Sequence, residues 1–255
     1  MENLKYIPNA DLIPFDLAAS LPTVGNALIC ECVYAQKDHK ENVFGQIYAP
    51  EARILGHKDM VLLVLLAAMD LHQSHEWTLI VKDCLRPVEA QQKMIDTDIV
   101  RKNPQWLEEP RFLSSPGQGG HPRGLAVDLS ACDKDGRNID FGTAFDHFSH
   151  SSDAAHNPAH RQHPHLAASV RENRGKLDRA MERAAKTLKM ELVFLSTEWW
   201  DFRMPAAYSN MFSPIRDADL EPWQKMITAP SDIPQAQKDK ITLSLTNSLK
   251  KFGNF

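Results

Sequence analysis

The sequence predicts an α+β fold with a central antiparallel sheet and flanking helices. Three observations point to it. Short β-rich bursts recur at 27–34, 77–81, 125–130 and 191–195. Two long helical patterns, at 58–74 and 167–189, separate them. Strands and helices alternate irregularly, with hairpin-type turns in place of regular βαβ units.

The elements follow in order. Residues 1–57 hold short apolar pieces broken by Pro8, Pro14, Pro22 and Pro50, among which Ala27 to Tyr34 reads as a strand. Val61 to Met69 (VLLVLLAAM) is apolar all round and reads as the core of a buried helix over 58–74. Trp77 to Val81 is a strand that ends in Lys82-Asp83-Cys84-Leu85-Arg86-Pro87. Pro87 suits a first helical turn, and Val88 to Val100 continues with helix formers. Residues 103–124 are rich in Pro, Gly and Ser and read as a loop. Leu125 to Ser130 alternates as a strand, and Asp133 to Asn138 has turn chemistry.

A long His-rich connection covers 146–166. The helix at 167–189 turns Val170, Leu177, Met181, Ala184, Ala185 and Leu188 inward. Glu191 to Leu195 is a strand leading straight into Glu198-Trp199-Trp200-Asp201. Residues 234–252 read as a marginal terminal helix or docking tail, which divides the chain into a domain at 1–213 and an extension at 214–255.

The bulk properties exclude several classes. A chain of 255 residues, 43% hydrophobic and 24% charged, can bury a substantial core unaided. Its net charge of −4 supplies no basic field for nucleic acid or an anionic membrane, so neither is expected as a partner. The most apolar run falls far short of the ~20 residues that span a bilayer. Met1 to Lys5 lacks a basic region followed by an apolar core, so no leader is expected and the predicted compartment is the cytoplasm. Cys30, Cys32, Cys84 and Cys132 form no CxxC pair and read as reduced thiols.

Three segments carry chemistry. In the first, His121 sits on a Gly-rich loop and Asp128 follows seven residues later inside the apolar run LAVDLS. A carboxylate there costs several kcal/mol unless paired or metal-bound, and imidazole plus carboxylate is a usual zinc ligand set. The competing reading is a half-exposed strand with Asp128 facing water. In the second, Glu198 and Asp201 flank two tryptophans, so one acid can reach a metal and the other its bound water; surface acids beside core tryptophans are the alternative. In the third, Arg86 emerges from an apolar strand end, where it can pair with a substrate carboxylate, stabilise an oxyanion or simply form a structural ion pair.

Taken together, the segments resemble the D-alanyl-D-alanine dipeptidases, zinc peptidases related to lysostaphin-like and D,D-carboxypeptidase enzymes. The family pattern is a D-G-Y-R-P-like strand end, then S-x-H-x-x-G-x-A-x-D, then E-W-W-H. Here it is matched by Asp83-Cys84-Leu85-Arg86-Pro87, by His121-Pro122-Arg123-Gly124-Leu125-Ala126-Val127-Asp128, and by Glu198-Trp199-Trp200-Asp201. Asp140 to Phe148 (DFGTAFDHF) is similar to the family's D-M-G-T-x-F-D-x-F run.

The resemblance spans roughly 10–210 and implies a hedgehog/D,D-peptidase-like fold with one Zn²⁺ per chain. It implies His121 and Asp128 as metal ligands, Glu198 as general base and Arg86 as transition-state stabiliser. Asp146 would hold the ammonium group of a small dipeptide such as D-Ala-D-Ala, a peptidoglycan fragment.

The chain departs from the pattern at three places. Asp201 stands where the family has its last ligand His, giving a His121-Asp128-Asp201 set that drifts toward harder divalent metals. Gly119 and Gly120 replace the small hydroxyl residues before His121, and Cys84-Leu85 replaces Gly-Tyr. These changes admit an alternative function, a catalytically impaired homologue that binds a peptide or partner. His147, His150, His156, His160, His163 and His165 crowd the 146–166 connection and read as a solvated loop, with an imidazole donor or a second metal site as the sharper alternative.

Overall fold

The computed structural model describes residues 4–252. Residues 1–3 and 253–255, which include most of the Met1–Lys5 stretch read for a leader, lie outside the described residues. In chain order the elements are β1 (Leu12–Pro14), α1 (Phe15–Ala19), β2 (Leu28–Cys30), β3 (Leu55–His57) and α2 (Lys58–His75). Then come β4 (Thr78–Asp83), α3 (Val88–Ile95), α4 (Asp98–Lys102), β5 (Ala126–Cys132) and α5 (Ala168–Leu188). The chain closes with β6 (Val193–Phe194), β7 (Asp201–Arg203), α6 (Ala206–Ser209) and α7 (Gln235–Lys250).

The five-stranded sheet has the order β2-β4-β5-β7-β6, and β1 and β3 form a separate antiparallel pair. Every pairing in the larger sheet is antiparallel except β2 with β4, which is parallel. The expected all-antiparallel sheet is therefore corrected to a mixed one. The connection from β2 to β4 contains β3 and α2, long enough to return the chain to the same end of the sheet, as a parallel pair requires.

Three predicted elements also differ. The strand at 27–34 stops at Cys30, and Val33–Ala35 winds into a 3-10 turn. The helix from Val88 breaks after Ile95, where the Thr97 hydroxyl donates to the Met94 carbonyl at 2.6 Å and competes with helix continuation. Glu198-Trp199-Trp200 lies in the turn between β6 and β7, and Asp201 opens a new strand instead of ending the old one.

α2 is buried on most sides, from Met60 to Leu71, because it packs on the sheet strand β4 and also against α5, α1 and α7. The unbroken apolar run from Met60 to Met69 follows from having little face left for water there. α5 is amphipathic and buries Val170, Leu177, Ala180, Met181, Ala184 and Ala185. α7 docks on α1 and α2 through Ile241, Leu245 and Leu249.

One register detail sets up the site. An irregularity between Val81 and Asp83 brings Asp83 opposite Asp128, and Asp128 in turn faces Asp201 on β7. Without that shift Lys82 would be the residue opposite Asp128. Gly124 is the second backbone requirement. It turns the chain from the His121 segment into β5 at φ +62°, and a Cβ there would lie 2.8 Å from the His57 backbone nitrogen. Gly124→Ala is expected to destabilise the protein by ~1–3 kcal/mol, read as a lower urea midpoint at unchanged slope.

Candidate active site

Asp83, Asp128 and Asp201 form a row across three adjacent strands, and all three are at most 2% exposed. Like charges directly opposite on a sheet repel, so the fold must bring cations to them. Arg86 is the first. Its Nε and Nη2 donate to Asp83 Oδ2 at 2.9 and 2.8 Å, and Nη2 lies 3.4 Å from Asp128 Oδ2. Tyr48 donates to the other Asp83 oxygen at 2.8 Å, so Asp83 is fully engaged.

His121 is the second. The 3-10 turn His121–Arg123 begins at Gly120 and ends at Gly124, with Pro122 in its first turn. Arg123 fastens it by donating to the carbonyls of Gly117, Gly119 and Phe212. The Arg86 N–H donates to the His121 carbonyl at 2.9 Å. His121 Nδ1 lies 2.8 Å from the Cys84 carbonyl, which only an N–H can satisfy. That assigns the proton to Nδ1 and leaves Nε2 toward the carboxylates, 3.3 Å from Asp201 Oδ2 and 3.6 Å from Asp128 Oδ1. Burial alone would lower the His121 pKa, but Asp128 and Asp201 outweigh it and push it up to about 10.

Asp201 meets the third cation, Arg203. Nε donates to Oδ1 at 2.7 Å and Nη2 to Oδ2, a two-pronged pair. Burial would raise the Asp201 pKa, yet Arg203 and His121 hold it below the ordinary carboxylate range. The hairpin carrying both residues is clamped from outside by Arg161, which donates to the Leu195 and Asp201 carbonyls at 2.9 Å and lies over the Phe202 ring.

Glu198 is buried, and its Oε1 has no hydrogen-bond partner. Burial, with Asp201 and Asp128 nearby, raises its pKa well above the usual value. Two tryptophans hold it in place. Trp199 stacks on Phe141 at 4.3 Å and donates to the Thr143 hydroxyl at 2.7 Å, while Trp200 meets Phe145 edge-on at 5.7 Å. The DFGTAFDHF run thus supports the Glu198 turn and also supplies Asp146, at φ +56°. Tyr34 donates to Asp146 Oδ2 at 2.6 Å. Burial, then Asp128, pushes Asp146 up to about 8.

The row can hold a metal ion. Donors about 2.0–2.1 Å from one tetrahedral ion stand roughly 3.3–3.4 Å apart, close to the spacing of His121 Nε2 from the two carboxylates. Asp128 Oδ1 is buried with no hydrogen-bond partner, as expected of an oxygen whose partner is not protein. Asp83, His121 and Asp128 also offer donor atoms within 4.8 Å of one another. Asp83 lies on the Nδ1 side, with its oxygens engaged by Tyr48 and Arg86 as those of Asp201 are by Arg203. Asp201 lies on the Nε2 side, 3.3 Å from that nitrogen.

A second metal-type group, Glu31, His39 and Glu41, already has the buried Lys82 ammonium bonded to both acids. The surrounding cavity, ≈ 30 Å³, is lined by Arg86, His121, Asp128, Asp146, Glu198 and Asp201 among others. Two larger clefts of ≈ 480 Å³ lie elsewhere and are lined by no histidine, so size does not locate the chemistry.

All six residues singled out in the sequence therefore line one cavity. Arg203, Tyr34 and Tyr48 were missed. Arg203 carried a signal, since two residues along a strand share a face; Tyr34, 112 residues from Asp146, carried none. The clustered histidines do not line the cavity. His156 pairs with Asp153, and His163 bonds the Ala154 carbonyl, within their own loop.

Among the described residues no helix is long and apolar enough to cross a membrane. The D-Ala-D-Ala dipeptidase family, peptidase M15, matches residues 19–217. D-alanyl-D-alanine dipeptidase of Escherichia coli (strain K12) is 29% identical over 195 residues, covering 76% of this chain and 86% of the relative. The solved structure of Serratia marcescens L-Ala D-Glu endopeptidase ChiX is 15% identical, with a TM-score of 0.35 over 71% of this chain and 92% of its own, too low to bear on the fold. With the match running from α1 through the whole acidic row to Asp217, the chain belongs to the D-Ala-D-Ala dipeptidase family of M15 peptidases.

Proposed function

We propose that this chain is a metal-dependent dipeptidase that hydrolyses D-alanyl-D-alanine or a related small peptide. Family membership and the name of the E. coli relative support the substrate class. The observation that carries the chemistry is the pair of buried, unpartnered carboxylate oxygens, Asp128 Oδ1 and Glu198 Oε1, in the cavity that His121 Nε2 faces. His121, Asp128 and Asp201 would hold one divalent ion, zinc or a harder metal. When bound, the ion supplies Lewis acidity that polarises the scissile carbonyl and acidifies a water.

The chain's own groups supply the rest. Glu198, in its ionised form, accepts a proton from water at Oε1 and returns it to the departing amine nitrogen. Arg86, oriented by Asp83, presents its guanidinium where the carbonyl oxygen gains negative charge. Asp146 pairs with the substrate ammonium group, and Tyr34 fixes its orientation.

A second reading, a peptide-binding homologue of impaired activity, draws on one observation. Both Asp201 oxygens are already held by Arg203, which competes with metal for that carboxylate.

Three outcomes are expected. Purified protein with one equivalent of zinc releases D-alanine from D-Ala-D-Ala; stoichiometric metal without release from any dipeptide stereoisomer favours the binding homologue. Glu198→Gln lowers kcat by a factor of ~10²–10⁴, while metal content by elemental analysis stays at the wild-type level. The third concerns pH in the metal-free protein.

Asp146 titrates near 8 when folded and near the ordinary aspartate value, about 3.9, when unfolded. The folded state therefore binds more protons across that window, and stability falls as pH rises from about 4 to about 8. Asp146→Asn removes this slope. Denaturant titrations with chelator at several pH values, wild type against variant, measure the difference.

A further inference from the structure

Asp201 and Arg203 stand two residues apart on β7, so the strand repeat turns both side chains to the same face. Asp201 is 1% exposed and Arg203 about a quarter exposed. The guanidinium grips both carboxylate oxygens from one side, and Oδ2 also faces His121 Nε2 at 3.3 Å. A carboxylate held in this way has one open direction, toward His121 and Asp128. Its charge is also matched within the pair.

We infer that Arg203 is a positioning residue whose fork makes Asp201 a one-oxygen, charge-compensated metal ligand, the equivalent of a neutral imidazole at that position. The inference rests on the metal-site reading above.

Two physical consequences follow. A free carboxylate can chelate an ion through both oxygens, which adds a coordination position. The Arg203 fork opposes this, because swinging Oδ1 toward the ion breaks the Nε–Oδ1 bond. Counted with Arg203, the three donors contribute the charge of a single carboxylate, Asp128. A bound ion then keeps more of its positive charge than an unpaired His-Asp-Asp set would leave it. Arg203 thereby turns the departure at residue 201 from a loss of Lewis acidity into a substitution of equal charge. Besides Arg203, the described cation that reaches the Asp201 side chain is His121, through Nε2 to Oδ2 at 3.3 Å.

The test uses cobalt(II) as the bound metal, because its visible d–d bands are intense at four-coordinate sites and weaken as coordination number rises. Wild type is expected to bind one cobalt per chain with intense bands. Arg203→Met, which keeps the stem and removes the fork, is expected to bind cobalt with band intensity at least about twofold lower. Arg203→Lys keeps the charge without the fork and is expected to lose intensity likewise, so orientation is separated from charge.

Loss of cobalt from an Arg203→Met protein that remains folded by circular dichroism also supports the inference. If Arg203→Met does not fold, Arg203→Lys decides. Bands unchanged in both variants, with metal bound, overturn the positioning role and leave the metal site standing. If wild type binds neither cobalt nor zinc, or if His121→Ala binds them equally well, the metal-site reading falls and the inference with it.

Discussion

Three buried carboxylates side by side across β4, β5 and β7 are the constraint around which this protein is organised. Asp83, Asp128 and Asp201 occupy directly opposed sheet positions, where like charges repel and water cannot screen them. Such a row persists only if cations are delivered to it, and each one comes from a different place. Arg86 follows the end of β4, Arg203 lies on β7 itself, and His121 arrives on a glycine-flanked turn that Arg123 and the Cys84 carbonyl hold.

These cations divide the row into unequal parts. Asp83 is saturated by Arg86 and Tyr48 and serves to orient Arg86. Asp201 is compensated by Arg203. Asp128, in the middle, keeps one oxygen without a partner. The unmet hydrogen-bonding capacity of the row is thus at Asp128, beside His121 and Asp201, where a divalent ion would gain most electrostatically. Glu198 and Asp146 border the same cavity and respond by holding their protons to higher pH than ordinary carboxylates do.

The apolar structure around the row positions the charges. Trp199 and Trp200 are buried against Phe141 and Phe145, so the short turn carrying Glu198 is anchored by aromatic contact instead of by its own hydrogen bonds. Helices α2 and α5 pack together, and α2 supports β4 from beneath. The register irregularity after Val81 is the finest adjustment, since it decides that Asp83 and not Lys82 stands beside Asp128.

By itself the sequence determined most element types and singled out six residues that line one cavity. A continuous apolar run marked α2 and hydrophobic periodicity marked α5, both closely, because helices of 18 and 21 residues carry long signals. His121 with Asp128, the Glu198–Asp201 pair and Arg86 were legible through their joint resemblance to the family motifs, since each segment alone also admits a structural reading. Tertiary structure decided the rest. The parallel pairing of β2, the turn that separates Glu198 from Asp201, and the meeting of Tyr34 with Asp146 all depend on contacts between distant segments, which local periodicity does not encode. The role of Asp201 depends on such contacts as well. In the sequence it is an acid where an imidazole was expected, and only the folded β7, with Arg203 gripping it and His121 facing it, gives that acid a balanced charge and a fixed direction.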